Sequence, residues 1–257
     1  VSGLLELVPC GVPLALFLDY DGTLVPIRRT PALARLGPKR RAELEWLARR
    51  TSVAVVSGRP LAEIRRMVGV PRLVYAGNHG LEIWSRGRKW VHPEAARRSL
   101  VMARMASAIR TLTRGVPGIL IEDKGLTLSV HYRRVPRWRR AALRRAVAEK
   151  VRTAPPGLRL AQGKMVLEIR PDIAWDKGWA VRELLRRAPG PRRVFPIYLG
   201  DDRTDEDAFR ALRGRGLTVR VGPSGQPTEA GRRLRGVDEV WAFLAALRRR
   251  LAAVPPR

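Results

Sequence analysis

Apolar positions along the chain fall into two alternating patterns. Short unbroken runs rich in Val, Leu and Ile lie at 14–19 (LALFLD), 52–57 (SVAVVS), 73–76 (LVYA), 194–199 (VFPIYL) and 217–221 (LTVRV). Such runs predict strands buried on both faces of a parallel sheet. Apolar residues at three- and four-residue spacing predict helices over Pro38 to Arg50, Arg59 to Val68, Trp175 to Arg187, Asp205 to Arg213 and Val237 to Leu251. The order is strand, turn, helix, strand, which is the signature of an α/β fold. The apolar stretch near the N-terminus has no basic leader and ends in acidic residues, so it reads as a core strand rather than a signal peptide.

The middle of the chain breaks this series. From about Ala95 to Asp172 the pattern is helix, hairpin, helix, hairpin. "GILIEDKGLTLSVHYR" is two extended runs broken at Gly125, "PRWRRAALRRAVAEKVR" is helical, and "LRLAQGKMVLEIRP" is again two runs around Gly163. The expected organisation is a core domain of residues 1–94 and 173–257 interrupted by a smaller α+β domain, 95–172. The tail 252–257 (AAVPPR) reads as a fraying end.

Composition narrows the function classes. At 257 residues, 45% hydrophobic and 29% charged, the chain has enough apolar material for a sizeable core. No stretch nears the ~20 apolar residues that span a bilayer. A single Cys10 excludes an internal disulfide and a cysteine metal cluster. A soluble, cytoplasmic protein is the plain expectation. The 51 Lys and Arg against 23 Asp and Glu give a net charge of +28, which would suit a nucleic-acid binder. The arginines, however, sit in short clusters on helices whose other face carries Leu, Ala and Val. With no reading motif and no basic stripe interleaved with aromatics, they read as solvated faces with weak attraction to acidic polymers at low salt.

Against this basic background, "FLDYDGTLVPI" (17–27) sets Asp19 and Asp21 two residues apart at a strand end. Residues two apart in an extended segment point the same way, and like charges that close are costly unless a cation or chemistry uses them. A calcium-binding EF-hand loop is excluded, because its invariant Gly would fall on Leu24 and its final Glu on Thr30. Phosphoryl transfer remains: one carboxylate attacks phosphorus and the other handles protons. "YLGDDRTDEDAF" supplies Asp201, Asp202 and Asp205 after the fourth core strand; if that strand neighbours the first, the carboxylates meet around a cation. Hard oxygen donors without a His or Cys cluster favour Mg²⁺. Glu206 and Asp207 read as the acidic first turn of the next helix. Ser57 and the backbone of "VVSGRP" offer an anion site at a strand-to-helix turn. Lys177 in "DKGWA" can balance further negative charge.

Taken in order, Asp19/Asp21, Ser57, Lys177 and Asp201/Asp202 resemble the motifs of the haloacid dehalogenase-like superfamily, with the insertion where its larger cap lies. More closely, "DYDGTLVPI", "SGRP", "GNHGLEI", "IEDKGLTLSVHYR", "GKMVLEIRP", "DKGWA" and "GDDRTDEDAF" resemble the trehalose-6-phosphate phosphatase family. The resemblance implies a Rossmann-like core with an α+β cap and Mg²⁺-dependent hydrolysis of trehalose 6-phosphate, the last step of trehalose biosynthesis. Asp19 would be the nucleophile and Asp21 the acid and base. Ser57 and Lys177 would bind the transferring oxygens, and Asp19, the Asp21 carbonyl and Asp201 would hold the metal. Asp202 and Asp205 would support that metal or the phosphate from outside.

For the substrate, the resemblance implies Gly58, Arg59, Asn78 and His79 as binding residues, with Asn78 and His79 lining the cleft or, equally, stabilising their turn. It also implies Glu122, Lys124, Arg133, Lys164 and Glu168 of the cap around the sugar. Glu122 and Lys124 are two apart on one run, and Lys164 and Glu168 four apart on another, so each pair shares a face. His92 and His131 read as structural, and Trp175 and Trp179 as hinge or core packing. The alternatives are a phosphatase for sucrose, mannosylglycerate or glucosylglycerate phosphate, or a nucleic-acid-binding module. A functional link to a trehalose-phosphate synthase is the implied partner.

Overall fold

The computed structural model describes residues 2–27, 34–163, 165–187 and 194–253. Lys164 and residues 254–257 of the tail lie outside them. The chain divides into two compact units, Val1–Trp90 with Trp175–Arg257, and Val91–Ala174.

In chain order the first unit contains α1 (Ser2–Glu6), β1 (Leu14–Leu18), α2 (Pro38–Ala48), β2 (Ser52–Val56), α3 (Leu61–Val68) and β3 (Val74–Gly77). A hairpin of β4 (Glu82–Ser85) and β5 (Arg88–Val91) follows. The second unit holds α4 (Pro93–Arg97), α5 (Ser99–Leu112), β6 (Leu120–Asp123), β7 (Leu128–His131), α6 (Arg137–Arg152), β8 (Leu158–Gly163) and β9 (Val166–Pro171). The chain then returns through α7 (Lys177–Arg187), β10 (Phe195–Gly200), α8 (Asp205–Ala211), β11 (Leu217–Val221), β12 (Arg232–Leu234) and α9 (Val237–Ala252).

The large sheet runs β12-β11-β10-β1-β2-β3-β4-β5. It is parallel from β12 to β3, and β4 is antiparallel to β3. Every residue of β1 is buried, because alternate side chains feed two separate cores. Leu14, Leu16 and Leu18 join Leu44, Ile64, Phe243 and Leu244 on one face. Ala15 and Phe17 join Val181, Tyr198 and Phe209 on the other. The register sets Leu18 opposite Leu199 of β10 and Val55 of β2, so three strands end side by side.

In the second unit an antiparallel sheet β6-β7-β9-β8 packs Leu128, Val130, Leu167 and Ile169 against Met102, Met105, Ile109, Leu143 and Val147 of α5 and α6.

The structure departs from the sequence reading at three places. Residues 2–6 are helical, not part of a strand: Leu4 and Val8, four apart, enter the core, and the strand starts only beyond Gly11, whose φ is 70°. The hairpin β4–β5 turns at Arg86–Gly87, both left-handed at φ 51° and 76°, the geometry of a two-residue hairpin loop. Trp179 is no core residue; it is 48% exposed on α7, with Arg182 over its ring at 5.5 Å.

Two glycines test the packing. A Cβ at Gly80 (φ 91°) would lie 2.2 Å from the Ala180 Cβ, whereas one at Gly87 (φ 76°) would meet nothing. Left-handed strain alone costs ~1–2 kcal/mol, and a core clash adds roughly 1–3. Urea unfolding should therefore show Gly80→Ala losing about 3 kcal/mol and Gly87→Ala about 1; equal losses would mean that the contact with α7 carries no weight.

Candidate active site

Because β1, β2 and β10 end at one edge of a parallel sheet, the residues that follow them gather there, as expected for ligand sites in such sheets. The main chain of Asp19 continues the ladder, its N–H donating to Leu199 O at 2.9 Å. Beyond it the chain curls, with the N–H groups of Leu24 and Val25 both donating to Tyr20 O. The curl passes Gly22 (φ 88°), where a Cβ would sit 2.0 Å from an Asp201 carboxylate oxygen. Only glycine leaves room there for that carboxylate.

Within this curl Asp19 and Asp21 take different partners. Asp19 turns inward: Lys177 Nζ donates to its Oδ1 at 2.7 Å and to Asp205 Oδ1 at 2.7 Å, all three groups buried. Asp21 turns to Arg59, which grips it in bidentate fashion at 2.6 and 2.7 Å and also pairs with Glu63 of α3. Arg59, expected near substrate, thus meets a protein carboxylate.

Lys177 is the first residue of α7, whose start is capped by Asp176 Oδ1 accepting the Trp179 N–H at 2.9 Å. Asp205 is the first residue of α8. Its Oδ1 also accepts from Tyr198 OH at 2.6 Å and its Oδ2 from the Asp202 N–H at 2.9 Å. Asp202 itself is exposed and accepts the Arg203 N–H.

Carboxylate oxygens of Asp19, Asp201 and Asp205 lie within 4.8 Å of one another. Three acids against one ammonium leave surplus negative charge in a dry place. Burial raises the Asp19 pKa well above its ordinary value; Lys177 pulls it down, and Asp205 and Asp201 push it up again. Burial would lower that of Lys177, but Asp19 and Asp205 overcome this and raise it. Burial and then Asp205 push Asp201 up to about 7. Its Oδ1 is buried with no hydrogen-bond partner among the described residues. An orphaned carboxylate oxygen beside two more carboxylates fits a hard divalent cation, which would satisfy the oxygen and neutralise the surplus.

Ser57 is buried at the end of β2, its Oγ accepting the Arg59 N–H at 3.2 Å. The turn Asn78–Gly80 is stitched to it: the His79 N–H donates to Ser57 O at 2.9 Å and the Asn78 N–H to Arg59 O at 2.8 Å. A Cβ on Gly58 would fall 2.7 Å from the His79 ring. Asn78 and His79 are left-handed at φ 50° and 57°, a cost that ordinarily persists only where surroundings over-determine it. Glu82 helps to do so, accepting from Asn78 Nδ2 at 2.8 Å and the Leu61 N–H at 3.4 Å. The sequence reading missed Glu82 and Glu63, though "GNHGLE" and "SGRPLAE" place them in the same segments.

In the second unit, Ser129 of β7 is the register partner of both Glu122 of β6 and Glu168 of β9. The three form a row across the sheet, on the face opposite the core residues Val130, Leu167 and Ile169. Lys124 Nζ lies 3.7 Å from Glu122 Oε2, His131 Nε2 is 3.2 Å from the same oxygen, and Arg170 pairs with Glu168. Arg133 is exposed just beyond β7. Ser129, His131 and Arg170 are additions to the residues expected on this face.

Comparison with known proteins gives one consistent result. The family model described as trehalose-phosphatase matches residues 17–237. "Probable trehalose-phosphate phosphatase 4" of Oryza sativa subsp. japonica is 39% identical over 92% of this chain and 66% of its own length. "Trehalose-phosphate phosphatase" of Mycobacterium avium (strain 104) is 41% identical over 78% of this chain and 51% of its own. The chain thus spans about two thirds of the first relative and half of the second. Among solved structures, a "trehalose-6-phosphate phosphatase related protein" superposes with a TM-score of 0.80 at 28% identity, covering 91% of this chain and 97% of that one. The C-terminal domain of the C. albicans trehalose-6-phosphate phosphatase gives 0.78 at 26%, covering 96% and 94%. A haloacid dehalogenase-like hydrolase of Bacteroides thetaiotaomicron, at 14% identity and a TM-score of 0.64, shares the fold.

The charge surplus has a measurable sign. An unfolded aspartate titrates near 3.8 and folded Asp201 near 7, so between these values the folded chain holds more protons and this group's contribution to stability falls as pH rises. In the presence of chelator, Asp201→Asn should be more stable than the parent at pH 8, by roughly 1–3 kcal/mol in urea unfolding. The gain should vanish near pH 4. A variant less stable at pH 8 would contradict the buried surplus.

Proposed function

The chain belongs to the trehalose-phosphatase family, and from that membership we propose that it hydrolyses trehalose 6-phosphate to trehalose and phosphate through an aspartyl-phosphate. The observation that carries the reading is the buried Asp19 carboxylate, bonded to Lys177 and flanked by Asp201 and Asp205. A nucleophilic carboxylate must stay ionised while a dianion approaches; Lys177 favours that form against burial, and a bound cation would favour it further.

Asp19 attacks phosphorus and the sugar oxygen departs. Asp21 gives that oxygen its proton and then takes one from the water that hydrolyses the acyl phosphate. Arg59, bidentate on Asp21, orients this carboxylate rather than reading the sugar. Lys177, the Ser57 hydroxyl and the main chain at Gly58 stabilise the transferring oxygens. Asn78 and His79 hold the Ser57–Arg59 turn in shape.

Asp19 and Asp201, with the Asp21 main-chain carbonyl, are the residues that would hold Mg²⁺. When bound, Mg²⁺ supplies charge neutralisation at the phosphoryl oxygens. Asp205 anchors Lys177, and Asp202 supports the turn that carries Asp201. Glu122, Lys124, Arg133, Lys164 and Glu168 read the sugar hydroxyls, the acids as acceptors and the bases as donors. We place the reaction in the cytoplasm, after a trehalose-phosphate synthase that supplies the substrate. No described helix is long and apolar enough to cross a membrane.

Phosphate release from a panel of sugar phosphates tests this directly. Trehalose 6-phosphate should be preferred, with activity lost in chelator and lowered roughly 10⁴-fold or more by Asp19→Asn. Glu122→Ala and Glu168→Ala should each cost roughly 10- to 100-fold on trehalose 6-phosphate and little on an aryl phosphate. Equal losses on both substrates would remove the second unit from specificity, and preference for another sugar phosphate would replace the substrate while keeping the chemistry.

A further inference from the structure

Asp201 sits on a four-residue turn, 201–204, between the end of β10 and the start of α8. Its neighbours in the acid cluster are tied down: Lys177 binds both Asp19 and Asp205, and Tyr198 binds Asp205. Asp201 has no bond to Lys177 of this kind, and its Oδ1 has no hydrogen-bond partner among the described residues. Apart from a hydrogen bond shared with Asp19, Asp201 faces the like charge of Asp205, so the turn itself must be held from behind.

A chain of polar contacts does this. The Asp202 main-chain oxygen accepts from the Asp205 N–H at 3.1 Å and from Arg220 Nη1 at 2.7 Å. Arg220 is on β11, the register partner of Gly200. The same Arg220 nitrogen lies 3.1 Å from Glu206 Oε1, and both side chains are largely buried, at 13% and 16% exposure. Glu206 accepts further from Thr228 Oγ1 at 2.8 Å and from the Glu229 N–H at 2.7 Å. Its position one residue into α8 would suit a helix-dipole role, yet it takes three donors from two other segments. A dipole partner at a helix start has no need of them.

Resting on the cation-dependent reading above, we propose that Arg220 and Glu206 are positioning residues for the divalent cation: they lock the Asp202 peptide to β11 and the segment 228–229, and so keep Asp201 aimed at Asp19. They touch neither substrate nor metal. Being an ion pair, they add almost no net charge, so their effect is geometric.

That distinction gives the test, made without substrate, by electron paramagnetic resonance of Mn²⁺ binding to the purified full chain. Asp201→Asn defines background, and urea midpoints are measured alongside. Geometric positioning predicts that Arg220→Gln and Glu206→Gln both weaken Mn²⁺ binding about tenfold. The double variant should be no worse than the weaker single, because both break one unit. Thr228→Val, which removes one donor to Glu206 and is the mildest change, should weaken binding about threefold; with Glu206→Gln it decides the matter if Arg220→Gln does not fold. A purely electrostatic role predicts opposite signs, tighter binding for Arg220→Gln and weaker for Glu206→Gln, cancelling in the double variant; that result, or unchanged affinity in all, overturns the proposal. If the parent binds no more Mn²⁺ than Asp201→Asn, the metal reading itself falls, and this one with it.

Discussion

One ammonium among three carboxylates is the constraint around which the first unit is arranged. Lys177 bridges Asp19 and Asp205 at 2.7 Å each, joining residues far apart in sequence from β1, α7 and α8. A buried ion pair is a poor source of net stability, since desolvation offsets most of the attraction. Its value lies in geometry. The three elements must be held together by something else, and the apolar faces of β1, β10, α7 and α8 supply it through Phe17, Val181, Tyr198 and Phe209. The sheet register brings the strand ends level, Gly22 leaves space for Asp201, and the turn 201–204 is tethered from β11. Each feature makes tolerable a charge arrangement that an isolated peptide would disperse.

The surplus negative charge that remains links fold to chemistry. Burial and mutual repulsion push Asp19 and Asp201 upward, so ionising these carboxyls costs more here than in water. A bound divalent cation would cancel that surplus of two negative charges. With the surplus cancelled, an anionic phosphate could approach Asp19, as the proposed transfer of a phosphoryl group to that carboxylate requires.

Much of this could be read from the chain. The five apolar runs emerged as β1, β2, β3, β10 and β11 because their shortness and their Val, Leu and Ile content argue for strands buried on both faces. The motif aspartates, Ser57 and Lys177 lie at the strand and helix ends where their positions in those runs put them. What escaped depended on partners. The pairing of Arg59 with Asp21 and Glu63 was out of reach, because a sequence shows an arginine's charge but not which anions it meets. The different partners of Asp19 and Asp21 could not be read from their spacing, because the strand stops at Leu18 and the chain curls at once. Glu206 looked like a helix-dipole residue because its three donors come from residues 14 to 23 positions away. The helix α1 was hidden because a short apolar run fits either period, and only its packing on the core decides.

The basic character of the chain bears on the same chemistry from a distance. Many arginines are committed to nearby acids on their own helix, as in Arg49–Glu45, Arg98–Glu94, Arg152–Glu149 and Arg186–Glu183. Exposed pairs of this kind contribute little to stability. With 51 basic against 23 acidic residues, pairing one to one cannot use up the arginines, so the surface field stays positive while the carboxylates around Lys177 are locally negative. A positive surround would raise the local concentration of the proposed anionic substrate, and salt screens that field over about 10 Å at 0.1 M. The contacts at Lys177 are buried and screened far less. Ionic strength should therefore act on capture of the substrate, through the field of the whole chain, and leave the chemical step, which depends on a few fixed bonds of 2.6–2.9 Å, nearly untouched.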